Sequence, residues 1–343
     1  MMTLGLEEIA RLAGVSRSTV SRVVNDHPSV RPAVRERVQR IIAETGFQPN
    51  AAARSLASQR SYMLGLVIPR TVHTVFTDPY FPRLTQGVAQ ACNDHDYTLS
   101  LFIESDDIKL YPRLSRTGLM DGVVVQASAA DDGLIPRLVA NGLPMVVAGR
   151  PSQREGVSFV DVDNVKGSCT AVAHLVGLGH TRIATVTGPL NTSVGADRLA
   201  GYRQALQERG VPIDEALIAS ADFTEPSAYY ATRRLLAHTP TALFAASDVM
   251  ARGAIRALNE AGLKVPNDVA VVGFDDLPPA TMTHPLLTTV RQPIRRLGAR
   301  AVETLLDIIA FGAEPPRRIV FDTELIIRAS CGANLPHARS DSP

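Results

Sequence analysis

A short run of polar residues near the amino terminus carries the residue types that proteins use to bind DNA. Arg17, Ser18, Ser21 and Arg22 fall within six positions, and no acidic residue lies among them. An arginine guanidinium can pair with guanine in the major groove, and a serine hydroxyl can bind a phosphate oxygen. This run therefore indicates DNA recognition, and the solvated face of an ordinary helical hairpin is the alternative.

Two short helices joined by a tight turn are needed to present these side chains. Gly14 can end the first helix because glycine takes a left-handed backbone conformation without steric cost. Ser16 can cap the second helix, residues 17–24, by accepting a hydrogen bond from a free backbone amide. Apolar residues at helical spacing predict which face is buried. They are Ile9, Ala10, Ala13, Val15, Val20, Val23 and Val24.

A third helix and a linker complete the amino-terminal region. Pro32 favours the start of the third helix and Gly46 its end, which predicts a three-helix unit. Asn50 could cap a further helix that is too short to be stable alone. Ala53 and Leu56 share one face of that segment, where they could form a dimer contact or enter a minor groove. A flexible linker is the alternative.

Basic residues are concentrated in this region. Over residues 1–60, nine arginines stand against five acids, a net charge of +4, whereas the whole chain of 343 residues carries +1. A basic unit on a nearly neutral body predicts a charged partner for that unit alone. The length predicts two or three domains, and 45% hydrophobic with 20% charged residues are typical of a soluble globular protein.

Several classes of protein are disfavoured by the motifs that the sequence lacks. Cys92, Cys169 and Cys331 form no CxxC pair and fit a reducing compartment. The amino terminus leads into an amphipathic helix rather than a signal peptide, and no apolar run reaches membrane-spanning length. We therefore expect a cytoplasmic protein without membrane contact. Phosphate-binding loops, nucleophile elbows and zinc motifs are absent, so we expect no enzyme activity, metal or cofactor.

From Tyr62 onward, short apolar runs alternate with amphipathic segments. Continuous Val, Ile and Leu runs are typical of parallel strands buried on both faces, so the pattern predicts a doubly wound α/β body. Its length favours two sheets with a cleft between them. The predicted strands are Leu64–Ile68, Thr98–Ile103, Gly122–Gln126, Met145–Ala148, Phe159–Val162, Ile183–Thr187, Ala242–Ala246 and Val269–Phe274. The predicted helices include Arg83–Asp94, Asn164–Gly177, Ala196–Arg209, Pro226–Ala237 and Val249–Ala261.

Several separate motifs, in the same order along the chain, resemble one family of proteins. The amino-terminal motifs are LEEIARLAGVSRSTVSRVVN and GFQPNAAARSL. The later motifs are GLVIP, DPYF, VDVDN, GPLNTSVGADRLAGYRQAL, FAASDVMARGAIRAL, VAVVGFDDLPPA and TTVRQP. On these motifs the chain resembles the LacI/GalR family of bacterial transcription factors over nearly its whole length.

The resemblance implies an all-α helix-turn-helix DNA-binding head with a hinge helix, joined to an α/β core of two subdomains like that of periplasmic sugar-binding proteins. It implies a DNA-binding domain over residues 1–48, a hinge helix or linker over 49–61, a core over 62–332 and a polar tail over 333–343. Within the core, one subdomain would take about 62–161 and 291–321, and the other about 162–289 and 322–332. The chain would cross between them near Asp161–Asn164, Thr288–Gln292 and Phe321–Glu324.

The resemblance also implies the DNA contacts and the oligomeric state. A homodimer would bind a palindromic operator, with Leu56 wedged into its central step and Ala53 in the same minor groove. The tail after Cys331 has no leucine heptad, which disfavours a tetramer. The residues that match DNA-contacting positions are Leu6, Ser16, Arg17, Ser18, Thr19, Ser21, Arg22, Asn25, Asn50, Ala53 and Leu56.

A small-molecule effector is implied in the cleft of the core. Arg198 matches the ligand-binding arginine of the family, and Asp275 matches an acid at the carboxyl end of a strand, where α/β sheets bind ligands. Ser247 replaces an asparagine that the family usually has, which changes the hydrogen bonds offered there. The implied ligand residues are Asp78, Phe81, Arg150, Arg198, Phe223, Ser247, Asp248, Asp275 and Gln292.

The function implied is a transcriptional repressor whose operator affinity falls when a mono- or oligosaccharide binds the cleft. A regulator that needs a corepressor such as a purine is the alternative within the family. A transport protein that binds sugars without a DNA role is a second alternative, which the basic helical head disfavours. An enzyme is a third, which the missing catalytic motifs disfavour.

Overall fold

The structure of the protein, a computed structural model, describes residues 5–24, 27–47, 60–116, 119–127, 133–152 and 156–333. The chain divides into two compact units, Met1–Tyr62 and Met63–Pro343. The smaller unit is helical, and the larger one contains two β-sheets with helices. Within the described ranges, no helix has the length and apolar character that a membrane span requires.

The smaller unit contains the helices α1 (Leu6–Ala13), α2 (Arg17–Val24) and α3 (Pro32–Thr45). Gly14 ends α1 in the left-handed conformation, with φ of 61°, as the sequence predicts. The hydroxyl of Ser16 accepts a hydrogen bond from the backbone amide of Thr19 at 3.2 Å, which confirms its predicted capping role. Ile9, Val20 and Val38 are fully buried where the three helices meet.

Val15 and Val24 depart from the sequence prediction. Both are predicted to be buried, but the structure leaves both half-buried at the margin of the small core. Three short helices enclose too little interior to cover every apolar side chain, because a smaller domain buries a smaller fraction of its surface.

The strands of the larger unit are β1 (Met63–Ile68), β2 (Thr98–Ile103), β3 (Gly122–Gln126), β4 (Met145–Ala148), β5 (Phe159–Val162), β6 (Ile183–Thr187), β7 (Ile218–Ser220), β8 (Ala242–Ala245), β9 (Ala270–Asp275), β10 (Thr288–Arg291), β11 (Arg318–Phe321) and β12 (Glu324–Ile326). The helices are α4 (Val72–Thr77), α5 (Tyr80–Asp94), α6 (Asp107–Leu114), α7 (Leu134–Ala140), α8 (Asn164–Gly177), α9 (Ser193–Glu208), α10 (Glu225–Leu235), α11 (Asp248–Glu260), α12 (Pro278–Met282) and α13 (Ile294–Phe311).

Two separate sheets organise this unit, as the sequence predicts. The first has the strand order β11-β5-β4-β3-β1-β2, and the second has the order β12-β10-β9-β8-β6-β7. Neighbouring strands are parallel except for β10 and β12. We call the first sheet with its helices the first subdomain and the second sheet with its helices the second subdomain. Parallel strands bring their carboxyl ends to one edge of each sheet, where α/β folds bind ligands.

The predicted strands agree with the structure to within one residue at each end, because runs buried on both faces are apolar throughout. The predicted helices differ more at their starts. α5 begins three residues before the predicted Arg83, and α9 begins three before Ala196. The side chain of Thr192 caps α9 by accepting a hydrogen bond from the amide of Gly195, so the polar residues ahead of the apolar pattern belong to the first turn.

The chain passes between the two subdomains three times. It leaves β5 of the first sheet for α8, leaves β10 of the second sheet for α13, and leaves β11 of the first sheet for β12 of the second. α13 returns to the first subdomain, where it packs along α5 and against β4. These three connections are the covalent links across which the cleft can open or close.

Close contact between α5 and α13 depends on two glycines. A Cβ atom added to Gly87 would lie 1.9 Å from the backbone oxygen of Arg295, and one added to Gly298 would lie 2.6 Å from the backbone oxygen of Leu84. Backbone atoms cannot move aside as flexible side chains do, so this helix pair requires glycine at both positions.

We predict that Gly87→Ala lowers the free energy of unfolding by about 1–3 kcal/mol, because overpacking a rigid contact forces the helices apart. Urea unfolding of the full chain measures this. Gly177→Ala is the control, since its added Cβ meets no atom within 4 Å; alanine there should be neutral or stabilise by up to about 1 kcal/mol. Equal stability of the two variants would contradict the close helix contact.

Candidate ligand-binding cleft and DNA-binding helix

The predicted DNA-reading residues lie on α2 and at its capped start. Ser16, Arg17, Ser18 and Arg22 are exposed, whereas Thr19 and Ser21 are half-buried. Hydroxyl contacts of 2.8 Å from Ser16 to Ser18 and 2.9 Å from Ser16 to Thr19 order the first turn of the helix. The exposed polar face is therefore presented by a helix whose opposite face is fixed in the core of the unit.

The remaining predicted DNA residues differ in position. Leu6 is half-buried and packs against the core of the head. Arg17 has a neighbouring acid, Glu7, at 3.8 Å, but both side chains are largely exposed, and such an ion pair is weak in water. The other predicted contacts, at Asn25, Asn50, Ala53 and Leu56, lie outside the described residues, as does most of the predicted hinge helix.

A cavity that is partly open to solvent lies between the two subdomains. The first subdomain contributes residues at or after the carboxyl ends of β1, β3, β4 and β5, and the second contributes residues at or after the carboxyl ends of β6, β7, β8, β9 and β10. The predicted ligand residues that line the cavity are Asp78, Phe81, Arg150, Arg198, Phe223, Ser247, Asp275 and Gln292.

Arg198 of α9 is the cation around which the cavity wall is arranged. It is 4% exposed, and its Nε donates to Asn164 Oδ1 at 2.9 Å. Its Nη1 donates to the backbone oxygen of Ala246 and lies 3.3 Å from Asp275 Oδ1. The guanidinium carbon lies 3.6 Å from the centre of the Phe274 ring. Nη2 has no protein partner among the described residues, so it is left to donate to a ligand.

Asp275 completes this buried pair. Its Oδ1 also accepts a hydrogen bond of 2.6 Å from Gln292 Nε2. Burial raises the pKa of Asp275 from 3.8 to about 7, and the positive charge of Arg198 opposes part of that rise. The residue lies at the carboxyl end of β9 with φ of 119°, a conformation that is costly for any residue other than glycine. The surrounding contacts must therefore hold it in place.

Two further carboxylates lie in the first subdomain. Asp78 Oδ1 accepts a hydrogen bond of 2.9 Å from the backbone amide of Tyr80. Asp161 Oδ1 accepts one of 2.8 Å from the amide of Val162 and one of 3.3 Å from Asn164 Nδ2. Burial raises the pKa of Asp78, and it raises the pKa of Asp161 to about 6.

The three carboxylates share an arrangement suited to a ligand with many hydroxyl groups. In Asp78, Asp161 and Asp275 the protein hydrogen bonds go to Oδ1, and the described residues offer no donor to Oδ2. An ionised carboxyl group can accept about four hydrogen bonds, and a protonated one, as Asp275 is below about pH 7, can also donate one. The cavity therefore presents unused acceptors beside the free donor of Arg198.

Aromatic rings form the apolar part of the wall. The Phe223 ring lies against Gly188, where an added Cβ would be only 2.1 Å from the ring. Phe81 contacts Tyr80 edge to face, with ring centres 5.5 Å apart. Burial raises the pKa of Tyr80, so its hydroxyl stays protonated and donates to Gln126 Oε1 at 3.4 Å. Rings with polar neighbours suit a ligand that has both an apolar face and hydroxyls.

The sequence predicts Asp248 as a ligand contact, but in the structure Asp248 does not line the cavity. Its side chain is fully buried, with Oδ1 accepting from the Thr289 hydroxyl at 2.5 Å and Oδ2 from the amide of Leu277 at 2.7 Å. Both oxygens thus have structural partners: one binds the segment after β9, and the other binds a residue of β10. A sequence motif fixes the position of this acid on α11 but not the side to which it points.

Arg150 and Ser247 line the cavity but have structural partners. Arg150 forms a salt bridge with Asp197 of α9, and the Ser193 hydroxyl donates to the backbone oxygen of Arg150, so both contacts join the two subdomains. The Ser247 hydroxyl caps α11 by accepting from the amide of Met250 at 3.2 Å. These two residues therefore shape the wall with part of their hydrogen-bonding capacity already used.

The structure adds residues that sequence reasoning did not assign to the ligand. Those that line the cavity include Arg70, Tyr80, Gln126, Asp161, Asn164, Ser193 and Asp222. The motif VDVDN, which contains Asp161 and Asn164, was visible at the first crossing, and DPYF contains Tyr80. Nothing in the sequence places Gln126 beside Tyr80, because that contact depends on how β3 pairs with β1. No group of three or more His, Cys, Asp or Glu side chains in the described part of the chain is arranged to hold a metal.

A helix-turn-helix head followed by a two-subdomain core with a polar cavity defines a DNA-binding regulator with a ligand-binding core. Residues 5–50 match the family described as bacterial regulatory proteins, lacI family, and residues 172–331 match the periplasmic binding protein-like domain. The chain is 40% identical over 332 residues to the HTH-type transcriptional regulator CelR of Thermobifida fusca, covering 95% of this chain and 97% of CelR. The chain therefore belongs to the lacI family, and it is a DNA-binding transcriptional regulator and not an enzyme.

Solved structures agree with this assignment and confirm the predicted fold class. A structure described as a transcriptional regulator CelR-cellobiose complex matches with a TM-score of 0.77 and 38% identity, covering 95% of this chain and 99% of that one. The lac repressor dimer bound to operator and the anti-inducer ONPF matches with a TM-score of 0.81 and 27% identity, covering 96% and 99%.

The raised pKa of Asp275 predicts a specific dependence of stability on pH. The folded state holds a proton on this carboxyl up to about pH 7, whereas the unfolded chain releases it near roughly pH 4. Between these values the folded state binds more protons, so stability falls as pH rises. We predict that the thermal midpoint drops from pH 5 to pH 8 and drops less in Asp275→Asn.

Asp322→Asn is the control for this experiment. Asp322 is exposed, and Lys166 lowers its pKa, so it does not titrate in this window. Its variant should keep the wild-type slope. An Asp275→Asn variant with the slope of the wild type would show that Asp275 is not the group that titrates.

Proposed function

We propose that this regulator is a repressor that binds a palindromic operator as a homodimer and leaves it when a neutral mono- or oligosaccharide occupies the cleft. Its place of action would be the cytoplasm, where the operator DNA is. The observation that carries the choice of ligand is a set of three cavity carboxylates, each with an unused Oδ2, around the free Nη2 of Arg198. Asp161 and Asp275 are buried, and Asp78 is half-buried. Sugar hydroxyls donate to carboxylates and accept from a guanidinium.

The charges of the cavity support a neutral ligand over an anionic one. Four acids line it, Asp78, Asp161, Asp222 and Asp275, against the arginines 70, 150 and 198. Arg198 already contacts Asp275, and Arg150 already contacts Asp197. A phosphate or carboxylate on the ligand would therefore meet unpaired acids in a low-dielectric site, which is costly. The similarity to the CelR-cellobiose complex makes cellobiose the first sugar to test.

The proposed DNA contact uses the exposed face of α2 in the major groove. Arg17 and Arg22 would read base edges, while Ser16, Ser18, Thr19 and Ser21 would hold phosphates. Leu6, Asn25 and Asn50 are proposed contacts to the DNA backbone, and Ala53 and Leu56 are the proposed minor-groove contacts.

Two heads on a two-fold operator need a dimer, and the larger unit exposes apolar side chains that a second copy could cover. They are Val72, Phe76, Leu101 and Met282, each more than 40% exposed.

The proposed switch follows from the three crossings. A ligand that contacts Asp78 and Asp161 on one side and Arg198 and Asp275 on the other favours one relative position of the subdomains. That position would set the spacing of the DNA-binding heads. Effector and operator then affect each other's affinity by the same factor.

For the DNA contact, we predict that Arg22→Ala weakens binding to a selected palindromic duplex about 10-fold to 100-fold, because a bidentate base contact gives about 1–3 kcal/mol of discrimination. Fluorescence anisotropy with selected and scrambled duplexes measures this, and titration at high DNA concentration should give two chains per duplex. Arg40→Ala, which removes an exposed arginine of α3, is the charge-matched control and should weaken both duplexes alike. An Arg22→Ala effect that is equal on both duplexes would show that Arg22 reads no base.

For the ligand contact, we predict that Arg198→Ala binds operator normally but is no longer released by the sugar. Loss of a charge-assisted hydrogen bond costs about 2–3 kcal/mol, so sugar affinity should fall about 30-fold or more. Calorimetry with cellobiose and related neutral sugars measures the affinity. Arg203→Ala on the same helix is the control, because Arg203 pairs with Glu215 at the surface. A variant that is still released by sugar would place the site elsewhere.

The sign of the response decides between the two regulators of this family that the sequence leaves open. Release of operator on sugar binding supports the proposed repressor. Operator binding that requires a ligand, for example a purine, would keep the class of protein and reverse the switch.

A further inference from the structure

Two consecutive acids at the end of β9 have unusual backbone conformations. Asp275 has φ of 119° and Asp276 has φ of 55°. Residues other than glycine hold such conformations only where their surroundings fix them, and they concentrate at functional sites. Asp275 lines the cavity, but Asp276 does not. The contacts of Asp276 therefore call for an explanation apart from ligand contact.

Asp276 is held by two arginines that come from different parts of the chain. Its Oδ2 accepts from Arg291 Nε at 2.8 Å, and its Oδ1 accepts from Arg328 Nη2 at 2.6 Å. Only 10% of its side chain is exposed. Burial would raise the pKa of Asp276, but the hydrogen bonds from Arg328 and Arg291 outweigh it and lower the pKa, so the carboxylate is ionised.

The two neighbouring acids are held by two consecutive residues, the last residue of β10 and the one after it. Arg291, the last residue of β10, binds Asp276, and the next residue, Gln292, donates to Asp275 at 2.6 Å. In the parallel ladder Arg291 lies opposite Asp275, so the two side-chain contacts run alongside the backbone pairing. The segment Arg291–Gln292 thus holds both the backbone and the side chain of Asp275.

The same contacts reach two of the three crossings. Gln292 begins the connection from β10 to α13 of the first subdomain. Arg291 Nη1 also donates to Glu324 Oε2 at 3.2 Å, and Glu324 is the first residue of β12 after the third crossing. Arg328 donates to the backbone oxygen of Leu287 at 2.8 Å, just ahead of β10.

We propose that Asp276 is a positioning residue: with Arg291 and Arg328 it forms a clamp, which holds the carboxylate of Asp275 at the cavity and ties that carboxylate to the crossings between the subdomains. Effector affinity and operator release then depend on a side chain that does not touch the effector. The part of this inference that concerns the effector rests on the proposed function. The part that concerns the placement of Asp275 does not.

Asp276→Asn tests the role with little change of shape. Asparagine tolerates the left-handed conformation and matches aspartate in size, but it removes the charge that binds both arginines. We expect cellobiose affinity to fall about 10-fold or more in calorimetry, while operator affinity without sugar stays within about 2-fold. Glu215→Gln, which removes an exposed acid that pairs with Arg203 away from the crossings, should behave as the wild type.

A second readout needs no ligand and separates positioning from a mere change of charge. If the clamp is released, Asp275 moves toward water, its pKa falls, and the thermal midpoint depends less on pH between 5 and 8. Arg291→Gln should have the same effect, because it opens the same clamp. Loss of positive charge alone would act in the opposite direction and raise the pKa of Asp275. The side chain of Arg291 is half exposed, so Arg291→Gln should fold and can test the clamp even if Asp276→Asn does not fold.

The outcomes are distinguishable. Wild-type sugar affinity in Asp276→Asn, or an Arg291→Gln variant whose pH dependence is unchanged or steeper, would overturn the positioning role. If the wild-type protein binds no sugar, the proposed function fails, and the pH dependence of Arg291→Gln still decides whether the contacts of Asp276 place Asp275. Asp276→Asn cannot decide this alone, because loss of its negative charge would by itself lower the pKa of Asp275. The double variant should lose little more affinity than either single one, because both changes open one clamp.

Discussion

The buried contact between Arg198 and Asp275 is the interaction on which the ligand cleft depends. A guanidinium taken out of water needs close partners, since the cost of an unpaired buried charge is large. The partners of Arg198 come from the start of α8, the end of β8 and the end of β9. β8 and β9 are neighbouring parallel strands, so their carboxyl ends lie side by side, and the first crossing brings the start of α8 next to them.

The same constraint explains the chemistry of the cavity. Arg198 and Gln292 occupy one oxygen of Asp275, and backbone amides occupy one oxygen each of Asp78 and Asp161. The protein thereby fixes each carboxylate while leaving an acceptor for a ligand. Burial that raises the pKa of Asp161 and Asp275 shows that the protein only partly compensates these charges. Neutral hydroxyl groups complete such a site without adding a charge.

The sequence predicts most of the fold because the strands and the head have local signals. Strands buried on both faces are uninterrupted apolar runs, and Gly14 and Ser16 mark the turn of the head by their own chemistry. It predicts less of the site. Asp248 has the right position but points to Thr289 and Leu277, and the partner of Arg150 lies on another subdomain. Such contacts depend on distant segments meeting in space, which no local pattern encodes.

The central claim is that one molecule binds operator and effector with opposing effects. The most direct test measures four dissociation constants: operator with and without saturating cellobiose, and cellobiose with and without a saturating selected operator. We expect both ligands to weaken each other by the same factor, at least about 10-fold, because coupling between two binding sites is reciprocal. An operator affinity that neither cellobiose nor a related neutral sugar changes would contradict this account.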